Sequence, residues 1–298
     1  MKAISLALCL ICAGPAAAQQ VAITFDDLPA HAGLPPGETR AGVARDLLAA
    51  LKAAGVRSAT GFVNGVQVER EPGSEAALDL WRQAGHPLGS HTWSHPHLDV
   101  VGAPAFMADI ARNEPGLAAR MAGRDWKWFR YPFLGEGATA ETRAEVRRYL
   151  AGRGYRIASV TISFDDWAFN DPYARCTAKG DAAAVAELEQ LFMDWARLSL
   201  ERSRGLSRSL YGRDIPYVLL MHAGAFDARM LPRLLAWYRA EGVRFASLDQ
   251  VERHPFYRAD YAVLPSDEPI WLEAEAERRG QSVPPRPWDP AVLDGVCR

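Results

Sequence analysis

Residues 21–31 read VAITFDDLPAH. Val21, Ile23 and Phe25 form a short β-branched and aromatic run that reads as a buried strand. It stops at two adjacent carboxylates, Asp26 and Asp27, followed by Leu28 and Pro29. Neighbouring like charges repel, and a carboxylate at a buried strand end loses hydration unless something compensates it. The bland compensation is a helix cap, since an Asp after a strand often starts the next helix. A cation is the other.

Outward from this strand, short apolar runs alternate with amphipathic ones. The strand pattern predicts Val21–Phe25, Ala59–Val63, Pro87–Ser90, Lys127–Phe133, Ile157–Ser163, Tyr217–Met221 and Arg244–Leu248. Helical spacing falls between them. In TRAGVARDLLAALKAAG, Val43, Leu47, Leu48 and Leu51 share a face and Gly55 closes the end. Similar patterns run about 74–84, 103–121, 139–151, 183–203 and 228–241. Seven strand–helix units without a hairpin signal call for parallel strands and crossovers. The expected fold class is α/β, a distorted (β/α)7-type barrel; an open doubly wound sheet fits the same alternation.

The chain has 298 residues, 49% apolar composition and a formal net charge of −2, which gives no basic footprint for nucleic acid. Residues 1–18, MKAISLALCLICAGPAAA, have an early lysine, a short apolar run and small residues at Ala16 and Ala18, the build of a signal peptide. The expected location is secreted or periplasmic, with no transmembrane segment after cleavage. Cys176 and Cys297 then remain, each far from another thiol or imidazole, and read as a disulfide rather than a metal pair. The expected organisation is a leader over 1–18, a barrel over 19–250, and an extension over 251–298 wrapping its outside. Oligomeric state is left open.

Polar residues gather where the strands end. Asp26 and Asp27 follow the first, His91 and His95 the third, Arg130 lies in the fourth, Asp165, Asp166 and Trp167 follow the fifth, and His222 follows the sixth. In a parallel barrel all these ends open onto the face where barrel enzymes keep their chemistry. Taken singly, each has a structural reading: a capping Asp, a hydrogen-bonded His, a salt-bridged Arg, a packing Trp. His91 and His95 are four apart, a spacing that brings two imidazoles to one side of a helical turn. Together with one carboxylate they make a three-ligand set with an open position, as catalytic zinc and similar divalent ions require. Asp27 then serves as ligand and Asp26 stays free as a base.

Five ordered motifs, TFDD (24–27), HTWSH (91–95), RYPF (130–133), DDW (165–167) and LMH (220–222), resemble those of the polysaccharide deacetylases. These are metal-dependent carbohydrate esterases related to chitin, peptidoglycan and nodulation-factor deacetylases, and the resemblance spans about 21–250. It implies a distorted barrel with its metal site at the C-terminal strand ends. It implies Asp27, His91 and His95 as metal ligands, Asp26 as general base and Arg130 as the cation that pairs with it. It further implies His222 as general acid, Asp166 as its orienting carboxylate, the Phe133 backbone N–H as an oxyanion donor, and Trp167 and Leu220 as walls around the acetyl methyl. The implied reaction is metal-assisted removal of N-acetyl groups from an acetylated amino-sugar polymer or oligosaccharide. Zinc suits the ligands, and cobalt, nickel or manganese also occupy such sites.

This sequence departs from the family pattern in places. Ser163 stands where some relatives carry a further acid, Phe133 where many carry Tyr, residues 168–216 are longer than a minimal member needs, and the tail beyond Gln250 has no motif. The alternatives are an O-acetyl esterase of the acetylxylan type, a non-carbohydrate amidase, and a non-catalytic glycan-binding barrel. His97 is a competing ligand candidate, His31 and Asn64 are candidates to line the mouth, and His86 and His254 read as structural. Trp126, Trp128 and Phe129 read as packing for the fourth strand.

Overall fold

The structure, a computed structural model, describes residues 19–266 and 268–298; the leader reading lies outside the described residues. Strands β1 (Gln20–Leu28), β2 (Ala59–Val63), β3 (Leu88–Ser90), β4 (Trp128–Phe129), β5 (Arg156–Ile157), β6 (Tyr217–His222) and β7 (Arg244–Ala246) make one sheet. Its order is β5-β4-β3-β2-β1-β6, with β7 paired to the first residues of β1, and every pairing is parallel. Beyond β5 the chain bridges Ile162 to Leu219 of β6. The sheet therefore curls back on itself as a distorted (β/α) barrel, and the open-sheet alternative falls away.

Four strands are shorter than the apolar pattern predicts: β3 starts one residue late, β7 ends two residues early, and β4 and β5 fall furthest short. The Lys127–Phe133 run holds a strand only at Trp128–Phe129, because Pro132 has no amide to donate and Phe133 turns left-handed at φ 57°. The Ile157–Ser163 run is a strand only through Ile157, after which Thr161 and Ile162 donate to Val218 O.

The helices follow their expected faces. α1 (Arg40–Ala53) starts at Thr39, whose side chain accepts from the Gly42 N–H, and buries Val43, Leu47 and Leu51. Burying each such side chain stabilises the fold by roughly 1.5–3 kcal/mol, so Leu47→Ala removes about 2–5 kcal/mol. Gly55, at φ 61°, turns the chain toward β2. Two short helices follow β2, α2 (Gly65–Arg70), which the periodicity does not show, and α3 (Glu75–Gln83). α4 spans Leu98–Arg120 and is broken at Gly102, so it begins earlier than the predicted 103.

α5 (Ala140–Gly152) matches its pattern. The long insertion forms α6 (Asn170–Lys179) and the 30-residue α7 (Ala182–Tyr211), which buries Leu188, Phe192, Trp195 and Leu200. α8 (Ala225–Ala240) follows β6. A disulfide joins Cys176 of α6 to Cys297 near the end of the tail. No described helix is long and apolar enough to cross a membrane.

Candidate active site

Alternation along β1 sends Ile23 and Phe25 into the helix-side core, where Phe25 meets Trp81 edge-on, and leaves Thr24 and Asp26 on the barrel side. A regular strand would point Asp27 away from Asp26. Instead the pairing to β2 shifts register between Phe25 and Leu28, and Asp27 adopts φ 64°. That irregularity turns the second carboxylate toward the same mouth. The adjacency of two acids is thus built into the backbone.

His91 leaves β3 and donates from Nδ1 to the Arg130 carbonyl at 2.8 Å, which leaves the Nε2 lone pair facing the carboxylates. His95 does not reach it through a helical turn, as its spacing suggests. Thr92 and His95 both take positive φ, and the Thr92 hydroxyl accepts from the His95 N–H at 3.1 Å. Asn64 supports this loop by donating to the His91 carbonyl at 2.5 Å.

Nε2 of His91 and Nε2 of His95 each lie 3.6 Å from Asp27 Oδ1. These separations are too long for hydrogen bonds. Two ligands each about 2.1 Å from a tetrahedral ion stand about 3.4 Å apart, so the three groups fit a divalent cation between them. One ligand atom from each of Asp27, His91 and His95 lies within 4.8 Å of the others. His97 is not in this cluster; its ring lies beside Phe133.

Asp26 is buried against Arg130, whose Nη1 donates to both carboxylate oxygens at 3.2 Å. Arg130 is itself fixed through Nε to the Ala158 carbonyl and Nη2 to the Thr24 hydroxyl. Burial raises the Asp26 pKa to about 6 against the pull of Arg130 and His222, with the Asp27 charge adding to the rise. For Asp27, burial also opposes ionisation, but the hydrogen bond from His31 and nearby imidazoles outweigh it and hold the carboxyl well below its ordinary range. The two acids are pushed apart, one firmly ionised and the other titrating near neutrality. Burial lowers both His91 and His95 to about 4, leaving them neutral and available as ligands.

Across the mouth, His222 ends β6 in register with Asp26. Asp166 accepts from the His222 backbone N–H at 2.6 Å and sits 3.1 Å from its Nδ1. Burial works to lower this imidazole, but the charge and hydrogen bond of Asp166 win and raise it to about 10. Leu220, two residues earlier, is buried on the same side of β6. Trp167 and Phe133 flank the opening, 42% and 62% exposed, and Phe133 packs edge-on to His95. An open pocket of about 430 Å³ beside Asp27 and His95 is lined further by His31, Asn64, Gln67 and Arg70.

Some contributors carry weak sequence signals. His31 Nδ1 lies 2.6 Å from Asp27 Oδ2 and its ring is 5.1 Å from that of His222; its proximity in sequence to Asp27 is the only hint. Asp227, in the first turn of α8, is fully buried beside Asp166. Burial and the Asp166 charge raise its pKa well above the ordinary carboxylate range. In sequence it reads as an ordinary acid at a helix start. Asn170 donates to Asp227 Oδ2 at 2.8 Å and accepts from the Phe226 N–H at 2.9 Å. His86 and His254 accept backbone N–H groups through Nδ1, as their structural reading anticipates.

The fold and this mouth define a class: a parallel (β/α) barrel with a candidate metal centre between a carboxylate–arginine pair and a carboxylate–histidine pair. A family model described as polysaccharide deacetylase matches residues 13–158, just under half of the chain, and over that stretch the chain is similar to the polysaccharide deacetylases. The chain is 30% identical to a chitin deacetylase of Colletotrichum lindemuthianum over 51% of this chain and 54% of the relative. It is 28% identical to a peptidoglycan-N-acetylglucosamine deacetylase of Bacillus cereus over 52% of this chain and 48% of the relative. The chain thus spans about half the length of these curated relatives. A family 4 carbohydrate esterase from Streptomyces lividans, solved with acetate, shares the fold with a TM-score of 0.50 at 22% identity, over 78% of this chain and 95% of the esterase.

Proposed function

We propose that this protein is a metal-dependent hydrolase that removes N-acetyl groups from an acetylated amino-sugar polymer or oligosaccharide. The observation that carries the reading is one mouth holding a three-ligand cluster, a free carboxylate beside it and a histidine–carboxylate pair opposite. Asp27, His91 and His95 would hold the ion, zinc by the chemistry of the donors. When bound, a divalent cation supplies Lewis acidity to the acetyl carbonyl and to water.

The remaining work falls to side chains. Asp26, oriented by Arg130, takes the proton of the attacking water. The Phe133 N–H donates to the oxygen that gains charge. His222, kept protonated by Asp166, gives its proton to the departing nitrogen, and the products are acetate and a free amine. Trp167 and Leu220 shape the space for the methyl. We assign the barrel to 19–250 and the extension to 251–298, and read the protein as secreted or periplasmic, where the Cys176–Cys297 disulfide is stable.

Acetate release from chitooligosaccharides, peptidoglycan and acetylxylan, each with and without a chelator, tests this. The proposal expects chelator-sensitive release from an N-acetylated glycan. Release from acetylxylan alone would favour the esterase reading, and glycan binding without release under any divalent metal would favour the non-catalytic one.

A further inference from the structure

The carboxyl tail reaches the acid side of the mouth. Asp165, immediately before Asp166 and Trp167, has φ 55° and ψ 38°, a left-handed conformation uncommon outside glycine. Its Oδ2 accepts from Trp288 Nε1 at 2.9 Å and from Arg286 Nη1 at 3.2 Å, both more than 120 residues away in sequence. Its carbonyl accepts from the Ala168 N–H and so closes the turn that carries Asp166 and Trp167.

The donors are themselves held. The Trp288 ring stacks on Trp195 of α7 at 6.4 Å. Arg175 of α6 donates to the Val296 and Asp294 carbonyls, and the disulfide fixes Cys297 to the same helix. The tail is thus anchored at two points while its indole N–H grips the loop between them. Unusual backbone conformations persist where the surroundings over-determine them, and here the surroundings are the tail.

We infer that Trp288, supported by Arg286, is a positioning residue of the active site: its bond to Asp165 fixes the 165–167 turn so that Asp166 meets His222. This rests on the reading of His222 as the proton donor to the leaving nitrogen. An amine must be protonated to leave, whereas 4-nitrophenolate leaves without help. The clamp therefore matters to amide cleavage and not to cleavage of an aryl acetate.

The test compares N-acetyl hydrolysis of a chitooligosaccharide with hydrolysis of 4-nitrophenyl acetate by the full, disulfide-bonded, metal-loaded protein. Trp288→Phe keeps the ring stack and removes the donor. It should lower kcat on the amide about tenfold, with KM and the aryl ester rate within about twofold of wild type. Asp165→Ala should do the same, and the double variant should lose no more than either single one. Asp165→Asn, which keeps an acceptor for the indole and tolerates left-handed backbone, should restore the wild-type ratio of the two rates.

Unchanged amide turnover in Trp288→Phe, an equal fall on both substrates, or additive losses in the double variant would overturn the inference. A wild-type protein that cleaves the aryl ester but no N-acetylated glycan would instead overturn the deacetylase reading.

Discussion

The two halves of the mouth solve the same problem in opposite ways. Each buries a carboxylate against a cation: Asp26 against Arg130 on one side, Asp166 against His222 on the other. On the Asp26 side two acids are adjacent, and burial together with the Asp27 charge keeps Asp26 at about 6 despite the guanidinium. On the His222 side the carboxylate prevails and lifts the imidazole to about 10. A crowded acid becomes a proton acceptor near neutrality, and a well-paired imidazole holds its proton. The difference lies in what surrounds each pair: a firmly ionised second carboxylate in one case, and in the other a buried Asp227 behind Asp166 whose pKa is raised well above the ordinary range.

The largest effect that separates the halves should come from Asp26→Asn. It removes the acceptor and leaves the ligands, so turnover should fall by about 10³-fold while metal content stays at one ion per chain. His95→Ala should lose both metal and activity. Acetate assays beside elemental analysis read the contrast, and a fully active Asp26→Asn protein would remove the assigned base.

The pH profile sharpens the comparison next. The base must be ionised, so activity should rise with pH through the Asp26 value, at or below about 6 once a cation sits nearby. The acid must be protonated, so activity should fall only as pH passes His222 at about 10. Asp166→Asn removes the anion that holds the proton; the alkaline limb should move down toward the ordinary histidine value while the acid limb stays put. A profile whose acid limb moves instead would assign the two halves wrongly.

A packing test reaches only the His222 side. A Cβ on Gly224 would meet Asn170 Oδ1 at 2.1 Å, and Asn170 ties α6 to Asp227 and Phe226. Gly224→Ala should therefore cost about 1–3 kcal/mol, read as a lower Tm. The smallest effect belongs to Asp227→Asn. Burial beside Asp166 favours the protonated carboxyl, and a neutral amide of the same shape replaces it, so stability and turnover should change by no more than about 1 kcal/mol. A large loss would mean that Asp227 carries charge.

The same contrast explains what was legible in the sequence. The strand–helix alternation and the polar strand ends around Asp26, Asp27, His91 and Arg130 sit in short local motifs, where residue type and spacing carry the information. The curl of the sheet did not show in the apolar runs, because β4 ends before Pro132 and the left-handed Phe133, and beyond β5 the chain leaves its neighbour to bond with β6. The backbone turn at Asp27 and the non-helical loop from His91 to His95 arise from positive φ at non-glycine residues, which composition does not signal. Asp227, Asn170 and Trp288 act from distant elements. Their roles come from packing, and nothing in their neighbours along the chain marks them out.

The central claim is that three side chains from two strand ends, Asp27 of β1 and His91 and His95 after β3, hold one cation while Asp26 remains outside its ligand set. The most direct measurement is a crystal grown with zinc and read by anomalous diffraction at the metal edge. The account predicts a single peak in the mouth, about 2.0–2.2 Å from one oxygen of Asp27 and from Nε2 of His91 and His95, with Asp26 still bound to Arg130. A peak elsewhere, or one with Asp26 in place of Asp27, would contradict it.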